Sequence, residues 1–380
     1  MSRTERIHQI DLFRFIAAVG IVCVHYLFRG YKADNLTHLN LLELGGEWVK
    51  YCFVAIDLFF IISGFVIFLS VRNKSLGFFF KSRTMRIFPV YWLCVCVTYA
   101  VTILYGEPRF TASWSQLIFN LLLLQDFLNI QPLDGAYWTM SVEVRFYCLT
   151  MAYLLVYRFK KIKIVNLAYW WLVLSILYPF VQHIFLVKVV DLFLMFKWSS
   201  AFAAGIIMGE IFKSKRLTAK NGIGLVVCFA LTIYHRLIYV AESRAYFQTD
   251  ISDTIVILVL LAVYLLMLSV VLGKLKWLNK PYFFTLGLLT YPLYLLHQRI
   301  GYIIFNNLMY DVNKYVLLGG TFILMLAASF LIVRWVAPWT TKFLNRALET
   351  FLNVISNRSA DTNAAIATKI NPISRNAFKK

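Results

Sequence analysis

The stretch from Trp48 to Val71 reads WVKYCFVAIDLFFIISGFVIFLSV, an apolar run broken only by Lys50 near its start and Asp57 within it. A helix crossing a bilayer needs roughly 20 mostly apolar residues. Its backbone must also be satisfied within the segment, since lipid supplies no hydrogen-bond partner. This stretch therefore reads as a transmembrane helix. Comparable stretches flank it at 11–30, 87–105, 137–157, 166–186, 190–212, 222–240, 251–273, 282–305 and 315–336. The chain is expected to be an all-α integral membrane bundle of about ten transmembrane helices. Its composition agrees, with 61% hydrophobic and only 15% charged residues, which excludes an ordinary soluble domain.

The formal charge of +20 could indicate a nucleic-acid partner, but its placement argues for topology instead. Alternate connections hold Arg72, Lys74, Lys81, Arg83 and Arg86, then Arg158 to Lys163, then Lys213 to Lys220, then Lys274, Lys276 and Lys280. The intervening ones hold mainly Lys32, Arg109, Arg244 and Lys314 among many acids. Positive charge marks the cytoplasmic side, so an even helix count puts both termini in the cytoplasm. Arg3 and Arg6 precede the first apolar stretch, but no small-residue cleavage site follows, so it reads as a retained helix. The six cysteines all fall inside spans and form neither a disulfide framework nor a metal pattern. Residues 1–340 then form the membrane domain, and 341–380 a basic cytoplasmic tail expected to be disordered. The connection 106–136 is long, and its run Leu117 to Leu124 is too short to span. It reads either as an interfacial or re-entrant segment covering a site or as an amphipathic helix resting on lipid.

Ionisable groups at membrane depth are costly and mark function by default. In the first helix Asp11, Arg14 and His25 stand out, and the eleven-residue offset puts Arg14 and His25 on one stripe about 16 Å apart along the axis. Helix-dipole stabilisation also accounts for Asp11, and snorkelling for Arg14. Asp57 requires a buried partner, while Ser63 and Gly64 allow close helix approach. In the fourth helix Glu143 lies at the depth of His25, with Arg145 and Tyr147 as alternative structural partners. The ninth helix carries Pro292, which should weaken its backbone hydrogen bonding, and Tyr291, Tyr294 and His297, whose three-residue steps suggest one polar cavity wall. At the cytoplasmic side Arg83 and Arg86 precede the third helix, and arginine forks suit phosphate oxygens.

Five ordered segments together resemble the acyltransferase-3 family of membrane O-acyltransferases, best known from bacteria that decorate extracytoplasmic glycans. They are Ile10-Asp11-Leu12-Phe13-Arg14 with His25, Asp57 to Phe65, Arg83-Thr84-Met85-Arg86 with Pro89, Trp138-Thr139-Met140-Ser141-Val142-Glu143, and Tyr291 to His297. Phe13, the residues after Glu143, and Pro292 depart from the usual pattern. The resemblance implies a stand-alone, multi-pass enzyme of the bacterial cytoplasmic (inner) membrane. It would move an acyl group, acetyl foremost, from cytoplasmic acyl-CoA to a hydroxyl of an extracytoplasmic or lipid-linked glycan. No permanently bound cofactor and no metal is expected; acyl-CoA serves as co-substrate.

On that reading Arg14, Arg83 and Arg86 hold the donor's phosphates. His25 acts either as general base or as a transient acyl acceptor, oriented by Glu143 or Asp57. Asp11, Tyr137, Trp138, Ser141, Tyr291, Tyr294 and His297 line the acceptor cavity. The rival reading is a proton-coupled transporter or flippase of a glycan precursor, because buried acids and bases also mark relays.

Overall fold

The computed structural model describes residues 6–34, 36, 40, 44–71, 75–346 and 350, and every regular element among them is helical. In chain order these are α1 His8–Lys32, α2 Glu47–Val71, α3 Leu76–Tyr105, α4 Trp114–Leu121, α5 Gly135–Lys160 and α6 Ile164–Val181. They continue as α7 Phe185–Leu194, α8 Phe196–Ser214, α9 Ala219–Phe247, α10 Asp253–Val271, α11 Phe283–Leu308 and α12 Lys314–Arg346. Counting α7 and α8 together, nine helices among the described residues are long and apolar enough to cross a membrane.

Each of the ten expected spans coincides with a long helix, but α11 is too polar to meet that measure. Its Thr290, Tyr294, His297 and Gln298 are buried, so the polarity that lowers its hydropathy faces the bundle and not lipid. Helix starts are set locally by side-chain caps: Ser75 accepts from Phe78 N, Thr218 from Asn221 N and Ser252 from Ile255 N, satisfying donors the first turn leaves free.

The sixth expected span, 190–212, starts too early. Met195 adopts a left-handed conformation with φ 48°, separating α7, which has no buried residue, from α8. Side chains hold the break: Asp191 Oδ1 accepts from Phe196 N at 2.8 Å, and Arg145 Nη1 donates to Leu192 O at 3.0 Å. In the connection 106–136, α4 is closed by a capping box of Ser113 and Gln116. Eight residues rise only about 12 Å. Trp114 and Ile118 point outward, whereas Tyr91 Oη and Trp92 Nε1 donate to the carbonyls of Asn120 and Leu121. This segment is an amphipathic helix docked on α3.

Contacts between connections group them into two ends. At one, His8 N and Gln9 Nε2 donate to Asn279 Oδ1 and Leu275 O, joining the start of α1 to the basic 272–282 connection. At the other, Lys50 Nζ donates to Asp250 O and Ser252 N donates to Tyr51 Oη. Helix α12 runs through the expected boundary at 340 as far as Arg346. Of the tail expected over 341–380, residues 347–349 and 351–380 lie outside the described residues, as do Arg3, Arg72 and Lys74.

The tightest crossing is between α2 and α8. A Cβ on Gly64 would meet the backbone of Phe202, and one on Gly205 would meet the backbone of Ile61 and Phe65. The two helices touch main chain to main chain, as small residues in membrane bundles permit. This contact brings Asp57 on α2 within electrostatic reach of Lys197 at the start of α8.

Candidate active site

At the end of the bundle away from the 272–282 connection, α1, α2, α5, α8, α9 and α11 enclose a cavity of about 370 Å³. His25 reaches it through a local change in α1. Over Val24–Arg29 the backbone adopts π-helical bonding, a widening found often at functional sites. Gly30 N donates to His25 O, which Tyr302 Oη also approaches at 3.2 Å.

His25 Nδ1 lies 2.7 Å from His297 Nε2, and His297 Nδ1 lies 2.8 Å from Tyr294 O. A carbonyl only accepts, so His297 Nδ1 carries the proton. Neutral His297 then presents a bare Nε2, which must accept from His25 Nδ1–H. The remaining nitrogen, His25 Nε2, is left with a free lone pair. His297 is fully buried and Tyr26 Oη donates to its carbonyl at 2.7 Å, whereas His25 lines the cavity. The chain Tyr294 O, His297, His25 therefore fixes one basic nitrogen in the cavity by a second group that orients the first.

Trp138 and Tyr294 also line this cavity. Trp138 packs on Trp198 with ring centroids 5.0 Å apart, and Tyr294 Oη is 3.0 Å from Thr139 Oγ1. The partner Asp57 required is Arg236: Arg236 Nε stands 3.4 Å from Asp57 Oδ1, with both side chains almost fully buried.

The remaining sequence-selected residues lie elsewhere. Glu143, matched with His25 by depth, instead accepts from Tyr147 Oη at 2.5 Å and Ser63 Oγ at 3.4 Å. It is in electrostatic contact with Arg14, as is Arg86. Neither Glu143 nor Asp57 therefore orients His25; His297 takes that position because α11 packs along α1. Asp11 pairs with Arg6 at 2.9 Å, at the opposite end from the cavity. Tyr137 donates to Thr98 Oγ1 and Tyr291 to Ile87 O, neither lining the cavity, and Ser141 Oγ is buried without a partner among the described residues. Arg83 is buried, donating to Ser70 Oγ at 2.5 Å and lying over the Phe79 and Tyr147 rings. Arg86 is exposed, and among the described residues neither Arg14 nor Arg86 makes a hydrogen bond or ion pair.

The profile of the acyltransferase-3 family, described as an acyltransferase domain, matches residues 7–335. The chain belongs to that family. It is 27% identical over 177 residues to the acyltransferase MdmB of Streptomyces mycarofaciens, covering 44% of this chain and 43% of that one. It is 28% identical over 170 residues to nodulation protein 10 of Rhizobium leguminosarum bv. viciae, covering 39% and 44%. It is 23% identical over 159 residues to the O-acetyltransferase OatA of Staphylococcus aureus, covering 36% and 26%. The matched region thus spans less than half the length of these curated relatives. No solved structure matches.

Within this acyltransferase-3 domain, sequence reasoning passed over Arg236, Trp198 and Gln298 as cavity residues. Arg236 carried a usable signal, since it is a charge inside the apolar span 222–240. Gln298 directly follows His297 and meets Gly135, where an added Cβ would lie 2.8 Å from its side chain.

Asp134, just before α5, ties that rim together. Its Oδ1 accepts from Ala136 N and its Oδ2 from Arg299 N, both at 2.7 Å. Burial pushes its carboxyl up to about 6, opposed by these two backbone bonds. A raised acid stabilises the fold most below its ordinary value of 3.8, and that contribution is lost as pH rises through about 6. Asp134→Ala strands both N–H groups, at about 1–3 kcal/mol each. The variant should melt several degrees below wild type at pH 4.5 in a detergent thermal-shift assay, with the gap narrowing by pH 7.5. Equal melting temperatures at pH 4.5 would exclude this anchoring role.

Proposed function

We propose that this protein is a membrane O-acyltransferase of the bacterial cytoplasmic membrane, moving an acetyl group from cytoplasmic acetyl-CoA to a hydroxyl of an extracytoplasmic or lipid-linked glycan. The observation that carries the reading is the free His25 Nε2 held in the cavity by His297. The relatives named as an acyltransferase and an O-acetyltransferase support the reaction class.

The positive-inside distribution puts Arg14, Arg83 and Arg86 at the cytoplasmic face and the His25 cavity toward the outside. The donor's phosphates are held by Arg86 and Arg14, whose guanidinium groups make no hydrogen bond or ion pair among the described residues, and Arg83 supports the Tyr147 wall. The pantetheine arm reaches along α1 to bring the thioester to His25. His25 Nε2 takes the proton of the acceptor hydroxyl as its oxygen bonds to the thioester carbonyl carbon. The carbon–sulfur bond then breaks, and the thiolate takes the proton back from the imidazolium. The products are an O-acyl ester and free CoA. Equally, His25 Nε2 can attack the thioester carbon and expel the CoA thiolate, and the acceptor hydroxyl then takes the acyl group from the imidazole while its proton passes to that thiolate. Both routes use the same nitrogen, and Trp138 offers a flat apolar face to a sugar ring.

Purified protein incubated with labelled acetyl-CoA and a glycan extract tests the reading: label is expected on sugar. Wild-type protein that binds acetyl-CoA yet transfers no label to any glycan or lipid fraction would sink it. Arg86→Ala should weaken acetyl-CoA binding by roughly 10- to 100-fold, as expected for a lost charge-assisted hydrogen bond, at unchanged melting temperature. Wild-type affinity in that variant would remove Arg86 from the donor site.

A further inference from the structure

The cavity that holds His25 is cationic. Arg29, Lys50, Lys197 and Arg236 line it, and no aspartate or glutamate is among its described lining residues. Three of the four have acidic neighbours behind the wall: Arg29 pairs with Asp34 at 3.2 Å, Lys50 with Glu47 at 2.6 Å, and Arg236 with Asp57 at 3.4 Å. Lys197 makes no hydrogen bond or ion pair among the described residues; its Nζ lies 5.9 Å and 5.6 Å from the Trp198 and Tyr239 ring centroids. Arg236 is only 3% exposed, yet its Nη2 has no hydrogen-bond partner among the described residues. Its guanidinium carbon stacks 4.0 Å from the Trp198 centroid, which holds the plane rigid.

A buried guanidinium with an unmet donor is costly, and here it sits beside the Lys197 ammonium, which feels Glu242, Asp191 and Asp57 electrostatically but makes no hydrogen bond or ion pair among the described residues. Both demands are met by one oxyanion. Arg forks and Lys point charges are the usual pairing for carboxylate and phosphate oxygens. The aromatic faces of Trp138 and Trp198 lie beside the same cations, so the anion and an apolar ring face are recognised together.

We infer that the acceptor is an anionic sugar, whose carboxylate or phosphate is seated by Lys197 and Arg236 while its ring lies against Trp138 with a hydroxyl toward His25. The inference rests on reading this cavity as the acceptor site. It narrows the acceptor class to sugar acids or phosphorylated sugars and assigns Lys197 and Arg236 to specificity, with Asp57 orienting Arg236.

The test is saturation-transfer NMR on the full-length protein in nanodiscs, titrated at low salt with methyl glucuronide, glucose 1-phosphate and methyl glucoside. At least one anionic probe should bind tenfold or more tightly than the neutral glucoside. Lys197→Met should remove most of that preference, Lys197→Arg should retain it, and acetyl-CoA binding should be unchanged in both. Tighter glucuronide assigns a sugar acid, and tighter glucose 1-phosphate a phosphorylated sugar; either sustains the proposal. Equal affinity for all three probes overturns it, as does an unaltered preference in Lys197→Met or a loss of acetyl-CoA binding there. Arg236 is left intact because its removal would strand Asp57 as a lone buried charge. Probe binding needs no acyl transfer. An anion preference without label transfer therefore refutes the acyltransferase reading alone, and label transfer without the preference refutes this inference alone.

Discussion

His25→Ala is expected to lower acetyl transfer by roughly 10²- to 10⁴-fold, the range for losing a positioned general base, while the protein still folds and binds acetyl-CoA. The alanine removes the single basic nitrogen that the hydrogen-bond chain presents to the cavity. His297 gives the sharper test because it touches no substrate in this scheme. His297→Phe leaves His25 Nδ1–H without an acceptor, so the imidazole can rotate or change tautomer. We expect roughly a 10²-fold loss in kcat, about 2.7 kcal/mol, with little change in KM for acetyl-CoA. His297→Gln can offer an amide oxygen in place of Nε2 and should recover a substantial part of the rate. Initial rates of label transfer, measured with melting temperatures for each variant, decide this. His25→Ala retaining more than a tenth of wild-type activity would end the base or acyl-acceptor role. Equal rates for His297→Phe and His297→Gln would mean that His297 merely fills space.

How much of this could be read from the sequence depended on the range over which each interaction acts. The spans were legible because bilayer thickness imposes a minimum length on every apolar run, and the run around Asp57 meets it without help from its neighbours. The break at Met195 was not, because it is held by Asp191 and by Arg145 from another helix. The charges themselves were visible, but their partners were not. Helical periodicity puts Arg14 and His25 on one stripe, yet it says nothing about which helix packs against that stripe. The His25 to His297 bond joins residues 272 apart in sequence, and depth alone suggested Glu143. Glu143 turned instead toward Tyr147, the i, i+4 neighbour already available on its own helix. Asp57 announced the need for a partner; only the folded bundle names Arg236.

The α2–α8 crossing should be the least tolerant place in the molecule. Gly205→Leu is expected to abolish recovery of folded, monodisperse protein, and Gly205→Ala to lower its melting temperature sharply. A single Cβ at 205 would sit 2.6 Å from Phe65 N and 2.9 Å from Gly64 Cα, and closer still to Ile61 O. Those atoms are main chain inside a hydrogen-bonded helix, so no rotamer change relieves the clash. Overpacking a relaxed core costs about 1–3 kcal/mol. Here relief requires separating the helices, which also opens the Phe202 contacts with Phe60 and Phe146, at centroid distances of 4.8 and 4.1 Å. Against a net stability of roughly 5–15 kcal/mol, the loss is a large fraction of the whole. Gly209 supplies the contrast, because a Cβ there would meet the Phe68 side chain, 2.8 Å from its Cβ, and not main chain; Gly209→Ala should still destabilise, but less than Gly205→Ala. Gly319 has nothing within 4 Å of its Cβ position, and Gly319→Ala should be neutral or stabilising by about 0.5–1 kcal/mol through helix propensity. Fluorescence-detected size exclusion and thermal melts of the four variants rank these effects. A wild-type profile for Gly205→Leu would show that α2 and α8 do not cross in backbone contact. It would also remove the physical reason for placing Lys197 and Asp57 beside the same cavity.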